Sequence, residues 1–270
     1  MNASPSPLVL VTGGSAGLGR VVGETFLADG YDLAITGRDE SRVNQVVAEL
    51  RDAFPDQRTV GVAADGTSVA DCQRVAGGLR DEFGRLDVLV NCIGTSDRGL
   101  VVDLEPDRLG SLLAQNVTTM LNASQAMLPL LKESAGSIVN VGSLAGKVGA
   151  RYLGGYVAAK HAVTGLTQQM RLELRDEGVH VALVSPGPIR REDAGTRYDA
   201  RASDSLPSSA KRPGGGTKVK GLDAHRVARV ILLAAKRKRT DVIMPGYLRL
   251  LMTIGNAFPR LGDWILLKLT

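Results

Sequence analysis

Seven short runs of β-branched and aliphatic residues alternate along the chain with segments whose apolar residues recur at helical spacing. This alternation predicts an α/β protein with a parallel sheet, helices on both faces and right-handed crossovers. A continuous apolar run such as Leu8-Val9-Leu10-Val11 is typical of a strand buried on both sides. The predicted strands are Leu8–Thr12, Asp32–Thr36, Thr59–Ala63, Leu86–Asn91, Ser137–Val141, His180–Ser185 and Asp241–Met244. The predicted helices lie near residues 17–29, 39–53, 68–83, 105–132, 155–177 and 223–236.

The size and composition of the chain predict one domain. Its 270 residues are 44% hydrophobic, and no linker interrupts the pattern. Two cysteines, Cys72 and Cys92, do not make a disulfide framework. The N-terminal residues resemble neither a signal peptide nor a membrane anchor, and no apolar stretch reaches the roughly 18 residues that span a bilayer. We therefore expect a single soluble domain over residues 1–270, located in the cytoplasm.

Two segments depart from the regular pattern. Residues 195–221 are rich in Ser, Pro, Gly and Lys, which predicts a mobile surface loop that acts as a substrate lid or is a plain disordered insertion. Residues 247–270 are apolar, with interspersed basic residues and interruptions at Gly255, Pro259 and Gly262. This tail predicts two short amphipathic helices. They would cover a pocket, join subunits or make a peripheral contact with a membrane.

A glycine-rich turn follows the first predicted strand. The sequence Thr12-Gly13-Gly14-Ser15-Ala16-Gly17-Leu18-Gly19 leads directly into a helix. Glycine permits positive φ and close approach of a ligand to the backbone, and a helix N-terminus presents free N–H groups to a pyrophosphate. In this strand–turn–helix context, the turn favours dinucleotide binding over a simple tight connection. The predicted binding residues are Gly13, Ser15, Gly17, Leu18 and Gly19.

The end of the second strand indicates which dinucleotide binds. Sites specific for NAD place an acidic residue here to bind the ribose 2′-hydroxyl. This chain has Gly37 at that place and Arg38 beside it, while Asp39 is the expected N-cap of the next helix. A guanidinium attracts a 2′-phosphate, so Arg38 favours NADP(H) over NAD(H). The alternative is an ordinary surface arginine.

Polar residues also end the third and fourth strands. Ligands bind at the carboxyl edge of an open parallel sheet. Asp65 is placed there to accept a hydrogen bond from an adenine amino group, and Asn91 and Gly94 to line the adenosine ribose. Each of these residues is equally compatible with a turn.

Tyr156 and Lys160 lie four residues apart, and Ser143 lies thirteen residues before Tyr156. Residues i and i+4 share one face of a helix, so the phenol and the ammonium are held side by side. A neighbouring cation favours the phenolate, which makes tyrosine a usable proton donor and acceptor near neutral pH. A serine hydroxyl from another segment would hold a substrate oxygen beside the phenol. The trio indicates proton transfer to a carbonyl or from an alcohol.

Together these residues resemble the short-chain dehydrogenase/reductase family, over roughly residues 8–190 and more loosely to about 246. The motifs occur in the family's order: Thr12–Gly19, Asp65, Asn91–Gly94, Asn116, Ser143, Tyr156, Lys160 and Pro186–Ile189. The resemblance implies a doubly wound Rossmann fold with a parallel seven-stranded sheet. Arg38 matches the family's NADP-preferring pattern.

The resemblance also implies a role for each matched residue. Tyr156 is the general acid in reduction and the base in oxidation, and Lys160 assists it while binding the nicotinamide ribose. Ser143 binds the substrate carbonyl, and Asn116 holds a water that links Lys160 to solvent. Pro186, Gly187 and Ile189 are implied cofactor contacts.

Three positions depart from the family pattern or need a separate interpretation. Cys92 stands where the family usually has asparagine, and we expect a small buried side chain there. Arg190-Arg191 replaces a segment that often holds a threonine near the nicotinamide amide, which places positive charge at the mouth of the site. Tyr152 is expected to form a pocket wall, because no lysine lies four residues after it.

These observations predict an NADP(H)-dependent oxidoreductase that interconverts a carbonyl and a secondary alcohol on a hydrophobic substrate, either lipid-like, steroid-like or a 3-oxoacyl group. The alternatives are a non-catalytic NADP(H)-binding sensor and a membrane-surface interaction protein. The resemblance to the family also implies a homodimer or homotetramer built from the helices near 105–132 and 155–177. The net charge of +5 is modest and no nucleic-acid-binding motif accompanies it, so we expect no nucleic-acid partner. The three histidines give no metal-ligand pattern, so we expect no metal site.

Overall fold

The computed structural model describes residues 6–190, 206–211 and 213–269. Within these residues, seven parallel strands form one sheet in the order β3-β2-β1-β4-β5-β6-β7. Every predicted strand is confirmed, with boundaries shifted by two residues at most. The strands are β1 Leu8–Thr12, β2 Asp32–Gly37, β3 Thr59–Ala63, β4 Val88–Asn91, β5 Ser137–Val141, β6 His180–Pro186 and β7 Asp241–Met244.

The helices of the described residues pack against both faces of this sheet or follow it at the carboxyl terminus. They are α1 Gly17–Leu27, α2 Glu40–Ala53, α3 Val69–Phe83, α4 Pro106–Leu113, α5 Thr119–Glu133, α6 Tyr156–Glu173, α7 Ala224–Lys236, α8 Leu248–Ala257 and α9 Pro259–Leu269. None of them combines the length and hydropathy needed to cross a membrane.

Alternation along the strands divides the apolar core between two layers. Val9 and Val11 belong to the layer that contains Phe26 of α1. Leu8 and Leu10 belong to the layer that contains Leu130 of α5. Because successive strand side chains point to opposite faces, a run without polar residues is buried on both sides.

The strand order reverses direction at β1, which pairs with β2 on one side and β4 on the other. The connections that leave β1 and β4 therefore diverge to opposite faces and open a crevice at the carboxyl edge. This is the edge at which the predicted cofactor and catalytic residues end their strands.

The helix predicted over residues 105–132 is corrected to two helices. A π-helical turn, Ala114–Thr118, separates α4 from α5. An i→i+5 turn inserts one extra residue and rotates the following side chains, and such turns occur frequently at functional sites. Asn116 lies inside this turn.

The described part of the predicted loop packs more closely than its composition indicates. Residues 195–205 and 212 lie outside the described residues. Leu206 and Ala210 are buried, whereas Lys218 and Lys220 are exposed, so the described part lies at the surface and is anchored by a few side chains. Its mobility and its role as a lid stay predictions.

Candidate active site

A cleft of about 1050 Å³ opens at the carboxyl edge of the sheet. One end is lined by the glycine-rich turn and by residues that follow β2 and β3. The other end is lined by the segment after β5, the start of α6 and the C-terminal helices α8 and α9. A volume of this order holds a large ligand.

The glycine-rich turn forms a backbone cradle in the cleft. Gly13 and Gly17 have φ of +70° and +52°, a region that side chains other than glycine rarely adopt. A Cβ on Gly19 would lie 2.2 Å from the carbonyl oxygen of Gly13, so only glycine allows this close packing. The five residues predicted from this turn, Gly13, Ser15, Gly17, Leu18 and Gly19, all line the cleft.

Arg38 is exposed and lines the same end of the cleft. A Cβ on Gly37 would lie 2.5 Å from the Ser15 hydroxyl oxygen, so an acidic side chain at position 37 is sterically excluded unless Ser15 moves. Asp39 caps α2, as predicted: its carboxylate accepts a hydrogen bond from the Arg42 backbone N–H at 3.1 Å.

Sequence reasoning missed Arg42. Its Nε donates a hydrogen bond to the Ser15 carbonyl oxygen at 3.1 Å, and its side chain also lines the cleft. Arg42 lies four residues after Arg38, a spacing that places two residues on one face of a helix. Arg38 precedes α2, so this spacing did not indicate that the two side chains lie together.

Asp65 lines the cleft and is also a turn residue. One carboxylate oxygen accepts hydrogen bonds from the Thr67 backbone N–H and hydroxyl, both at 2.9 Å. The two interpretations made from the sequence are therefore compatible.

The structure corrects the placement of Asn91. Its side chain is buried, and its amide nitrogen donates hydrogen bonds to Ser124 Oγ at 3.0 Å and Asn140 Oδ1 at 2.9 Å. Asn91 is not among the residues that line the cleft, whereas Gly94 and the half-buried Cys92 are. The strand pleat turns the last side chain of β4 into the layer below the sheet.

Tyr156, Lys160 and Ser143 all line this cleft. Tyr156 is the first residue of α6, and Lys160 lies one turn further on. The Lys160 ammonium is 5.8 Å from the centroid of the Tyr156 ring. Ser143 follows β5, and its hydroxyl oxygen accepts a hydrogen bond from the Ala145 backbone N–H at 3.1 Å.

Lys160 is a buried cation, with 5% of its surface exposed. Its ammonium donates a hydrogen bond to the Val141 carbonyl oxygen at 3.1 Å. Burial lowers the pKa of Lys160 from its usual 10.5 to about 8. The group can therefore gain and lose a proton close to neutral pH.

Asn116 lies behind this pair rather than on the cleft wall. Its amide nitrogen donates to the carbonyl oxygens of Thr95 at 3.0 Å and Leu112 at 2.9 Å. Its amide oxygen is buried and has no hydrogen-bond partner within the part of the chain that the structure describes. A Cβ on Gly94 would lie 2.8 Å from this oxygen and 3.2 Å from the Lys160 ammonium, so both polar atoms face the space that Gly94 leaves open.

The residues predicted after β6 lie at the junction of the two halves. Pro186, Gly187 and Ile189 line the cleft, whereas Arg190 does not. The Arg190 guanidinium lies instead 3.9 Å from the Asp223 carboxylate, which corrects its expected place at the mouth. Arg191 lies outside the described residues.

Arg98 brings a positive charge to the cleft in a place that the sequence did not indicate. It is buried, lines the cleft and donates a hydrogen bond from Nε to the Ala210 carbonyl oxygen at 2.8 Å. Nothing in the local sequence distinguishes Arg98 from a solvated charge, because its burial depends on residues more than a hundred positions away.

The C-terminal tail lines part of the cleft. The two predicted short helices are confirmed as α8 and α9, which we call the C-terminal hairpin. Its lining residues include Leu251, Met252, Ile265, Leu266 and Leu269. Tyr152 does not line the cleft and the prediction of a wall at that position is wrong; the neighbouring Leu153 lines it instead.

The family model of the short chain dehydrogenase matches residues 7–201. The chain belongs to the short-chain dehydrogenase family. Among its relatives, Dehydrogenase/reductase SDR family member 7B of Danio rerio is 32% identical over 246 residues, which is 88% of this dehydrogenase and 77% of the relative. The 3alpha-hydroxysteroid dehydrogenase of Mediterraneibacter gnavus is 30% identical over 186 residues, covering 68% and 74% of the two chains.

Solved structures of the family share the fold of this dehydrogenase. A short-chain dehydrogenase from Sphingobium yanoikuyae, in complex with NADPH, is 30% identical with a TM-score of 0.72 and covers 88% of each chain. The chain is thus an oxidoreductase of the short-chain dehydrogenase type with a single-domain Rossmann fold.

Proposed function

We propose that this dehydrogenase interconverts a carbonyl and a secondary alcohol on a hydrophobic substrate, with NADP(H) as the redox partner. The observation that carries this proposal is the convergence of Tyr156, Ser143 and the buried Lys160 on a cleft that is also lined by apolar residues of the C-terminal hairpin, such as Leu251 and Leu266. The cited relatives include a hydroxysteroid dehydrogenase, which acts on the same kind of functional group.

The residues of the cleft are compatible with a bound dinucleotide. The cradle around Gly17 offers backbone N–H groups and the N-terminus of α1 to a pyrophosphate. The space over Gly94, between Asn116 and Lys160, suits hydroxyl groups that donate to the amide oxygen and accept from the ammonium. When bound, the nicotinamide supplies or accepts the hydride.

Tyr156 moves the proton that accompanies this hydride. In reduction its hydroxyl gives a proton to the carbonyl oxygen as the carbon gains the hydride, which forms the C–H and O–H bonds of the alcohol. Ser143 donates a hydrogen bond to the same oxygen and stabilises the charge that develops on it. In oxidation the phenolate takes the proton back.

Lys160 supports the phenol from behind. Its positive charge stabilises the phenolate that remains after proton transfer. Because its pKa is lowered to about 8, Lys160 can also pass a proton to Tyr156 and regain one through the polar space beside Asn116. Asn116 is then a positioning residue that keeps this route hydrated.

Lys160→Met is expected to stabilise the cofactor-free protein at pH 7. The folded pKa lies below the unfolded value, so the buried charge costs stability below pH 8 and this cost fades as pH rises towards 10.5. The difference in free energy of unfolding between variant and parent should therefore shrink by about 2–3 kcal/mol between pH 7 and pH 10. Urea unfolding of both proteins at each pH measures it. A difference that does not change with pH would show that Lys160 is not buried as a cation.

Hydride transfer gives the direct test of the proposed reaction. We would incubate the dehydrogenase with NADPH deuterated at the transferring position and with ketones of steroid, long-chain acyl and small water-soluble types. We expect deuterium at the new carbinol carbon of at least one hydrophobic ketone, detected by mass spectrometry. If no ketone is reduced and no matching alcohol is oxidised, although NADPH binds, the non-catalytic sensor is the better description.

Assembly and location are further proposals. We propose that α4, α5 and α6 form the contacts of a homodimer or homotetramer, and that the protein is located in the cytoplasm. The peripheral contact of the tail with a membrane is likewise a proposal, and it depends on which face the C-terminal hairpin turns to solvent.

A further inference from the structure

The C-terminal hairpin has two faces with different surroundings. One face lines the cleft through residues such as Leu251, Met252 and Leu266. The other face, which we call the outer face, lines no part of it. The outer face carries six large apolar side chains that are each between 43% and 67% exposed: Tyr247, Leu250, Phe258, Leu261, Trp264 and Leu267.

Local packing keeps the outer face turned to solvent. A Cβ on Gly262 would lie 2.6 Å from the Gly255 carbonyl oxygen, so α8 and α9 touch through their backbones. The end of α9 is tied to the body of the protein, because the Lys218 backbone N–H donates to the Leu269 carbonyl oxygen at 2.7 Å. The Lys218 ammonium donates to the Lys268 carbonyl oxygen at 3.0 Å. These bonds resist rotation of the apolar residues into the cleft.

The charges beside the outer face are positive. Arg260 and Lys268 are exposed, whereas the exposed Arg249 donates a hydrogen bond to the Asp241 carbonyl oxygen. Asp263 is also exposed, but it lines the cleft and not the outer face. The Lys268 ammonium lies 5.9 Å from the centroid of the Trp264 ring, so a cation and an amphipathic aromatic group share one place on the outer face.

We propose that the outer face docks on an anionic lipid bilayer. Exposed aliphatic and aromatic side chains would enter the boundary between headgroups and acyl chains, and the flanking cations would contact anionic headgroups. Helices of 10 and 11 residues would lie along this boundary. The cleft would then open beside the bilayer, so a hydrophobic substrate could enter from the lipid; this last step rests on the proposed function.

Charge argues against a second copy of the chain as the occupant. In a two-fold contact the same patch meets itself, which would bring Arg260 and Lys268 of each copy towards like charges. An anionic lipid surface would instead attract Arg260 and Lys268. A fluid lipid surface also requires no complementary shape.

Co-sedimentation of the full chain with vesicles tests the docking without requiring turnover. The vesicles are phosphatidylcholine alone or an equal mixture with phosphatidylglycerol. We expect the parent protein to bind the mixed vesicles. The triple variant Leu250→Ser, Trp264→Ser, Leu267→Ser should bind more than about tenfold more weakly, because it loses much of the apolar surface that enters the lipid.

The matched control changes three exposed apolar residues away from the hairpin and from α4, α5 and α6: Val69→Ser, Val101→Ser and Val102→Ser, which replace side chains that are 55–87% exposed. This variant should bind mixed vesicles as the parent does. The double variant Arg260→Gln, Lys268→Gln should bind the mixed vesicles more weakly than the parent does. Its binding to vesicles of phosphatidylcholine alone should equal that of the parent. Thermal unfolding of every variant confirms that it folds.

The outcomes separate the docking from the chemistry. Absence of parent binding, or equal binding by the triple variant, would overturn the proposal. The proposal would also be overturned if the triple variant lost self-association while its vesicle binding stayed unchanged, because the outer face would then be a subunit contact. If the triple variant alone loses vesicle binding but no protein reduces any ketone, the docking stands and the proposed function fails.

Discussion

Replacement of Tyr156 by phenylalanine is expected to lower turnover about 10²–10⁴-fold, the range that a positioned general acid or base contributes. The phenyl ring keeps the shape of the first turn of α6 and its place 5.8 Å from the Lys160 ammonium. Only the proton that reaches the carbonyl oxygen is lost. Dissociation constants for NADPH should change little, because the glycine-rich turn and Arg38 are untouched. Steady-state kinetics and fluorescence titration with NADPH measure the two quantities.

Tyr152→Phe is the matched control, since it removes a phenol hydroxyl four residues earlier in the sequence. Because Tyr152 does not line the cleft, the Tyr152→Phe variant should turn over substrate as fast as the parent. A Tyr156→Phe variant that retains full activity would refute the proposed proton transfer. Equal losses in both variants would show that the effect is on folding, which circular dichroism would confirm.

Replacement of Arg38 by aspartate should reverse the preference between the two dinucleotides. The guanidinium is exposed at the end of β2 and lines the cleft where a 2′-phosphate would lie. Loss of a charge-assisted hydrogen bond costs about 1.5–3 kcal/mol, and a carboxylate adds repulsion. We therefore expect the ratio of kcat/KM with NADPH to that with NADH to fall by about a hundredfold or more. Parallel assays with both cofactors give the ratio.

Two further variants separate attraction from repulsion. Arg38→Gln removes the positive charge without adding a negative one, so its ratio should lie between those of the parent and the aspartate variant. Arg42→Gln tests the second guanidinium, which is held by the Ser15 carbonyl oxygen. An unchanged ratio in Arg38→Asp would mean that Arg38 is an ordinary surface residue and that the NADP(H) proposal has lost its main support.

Much of the fold could be predicted because its signals are local. A run such as Leu8–Thr12 has no polar residue until its end, and only a strand between two helical layers buries such a run on both sides. The glycine-rich turn is equally local, since positive φ at Gly13 and Gly17 depends on backbone sterics within a few residues. Such features are determined by neighbours in the sequence.

The errors occurred where burial depends on distant segments. Asn91 was placed by its position at a strand end, but the pleat turns it towards Ser124 and Asn140. Periodicity did not reveal the π-helical turn around Asn116, because apolar residues continue across it at spacings of three and four in the sequence. Arg98 gave no signal, since its partner Ala210 is far along the chain.

The sequence by itself determined the α/β class, the cofactor turn and the identity of Tyr156, Lys160 and Ser143 as a set, because spacing and residue type are sufficient for these features. Only the tertiary structure decided that Lys160 is buried with a pKa of about 8, since desolvation depends on every segment packed around the ammonium. It also decided the orientation of the C-terminal hairpin. An amphipathic pattern shows that two faces differ, but packing against the body determines which of them lines the cleft.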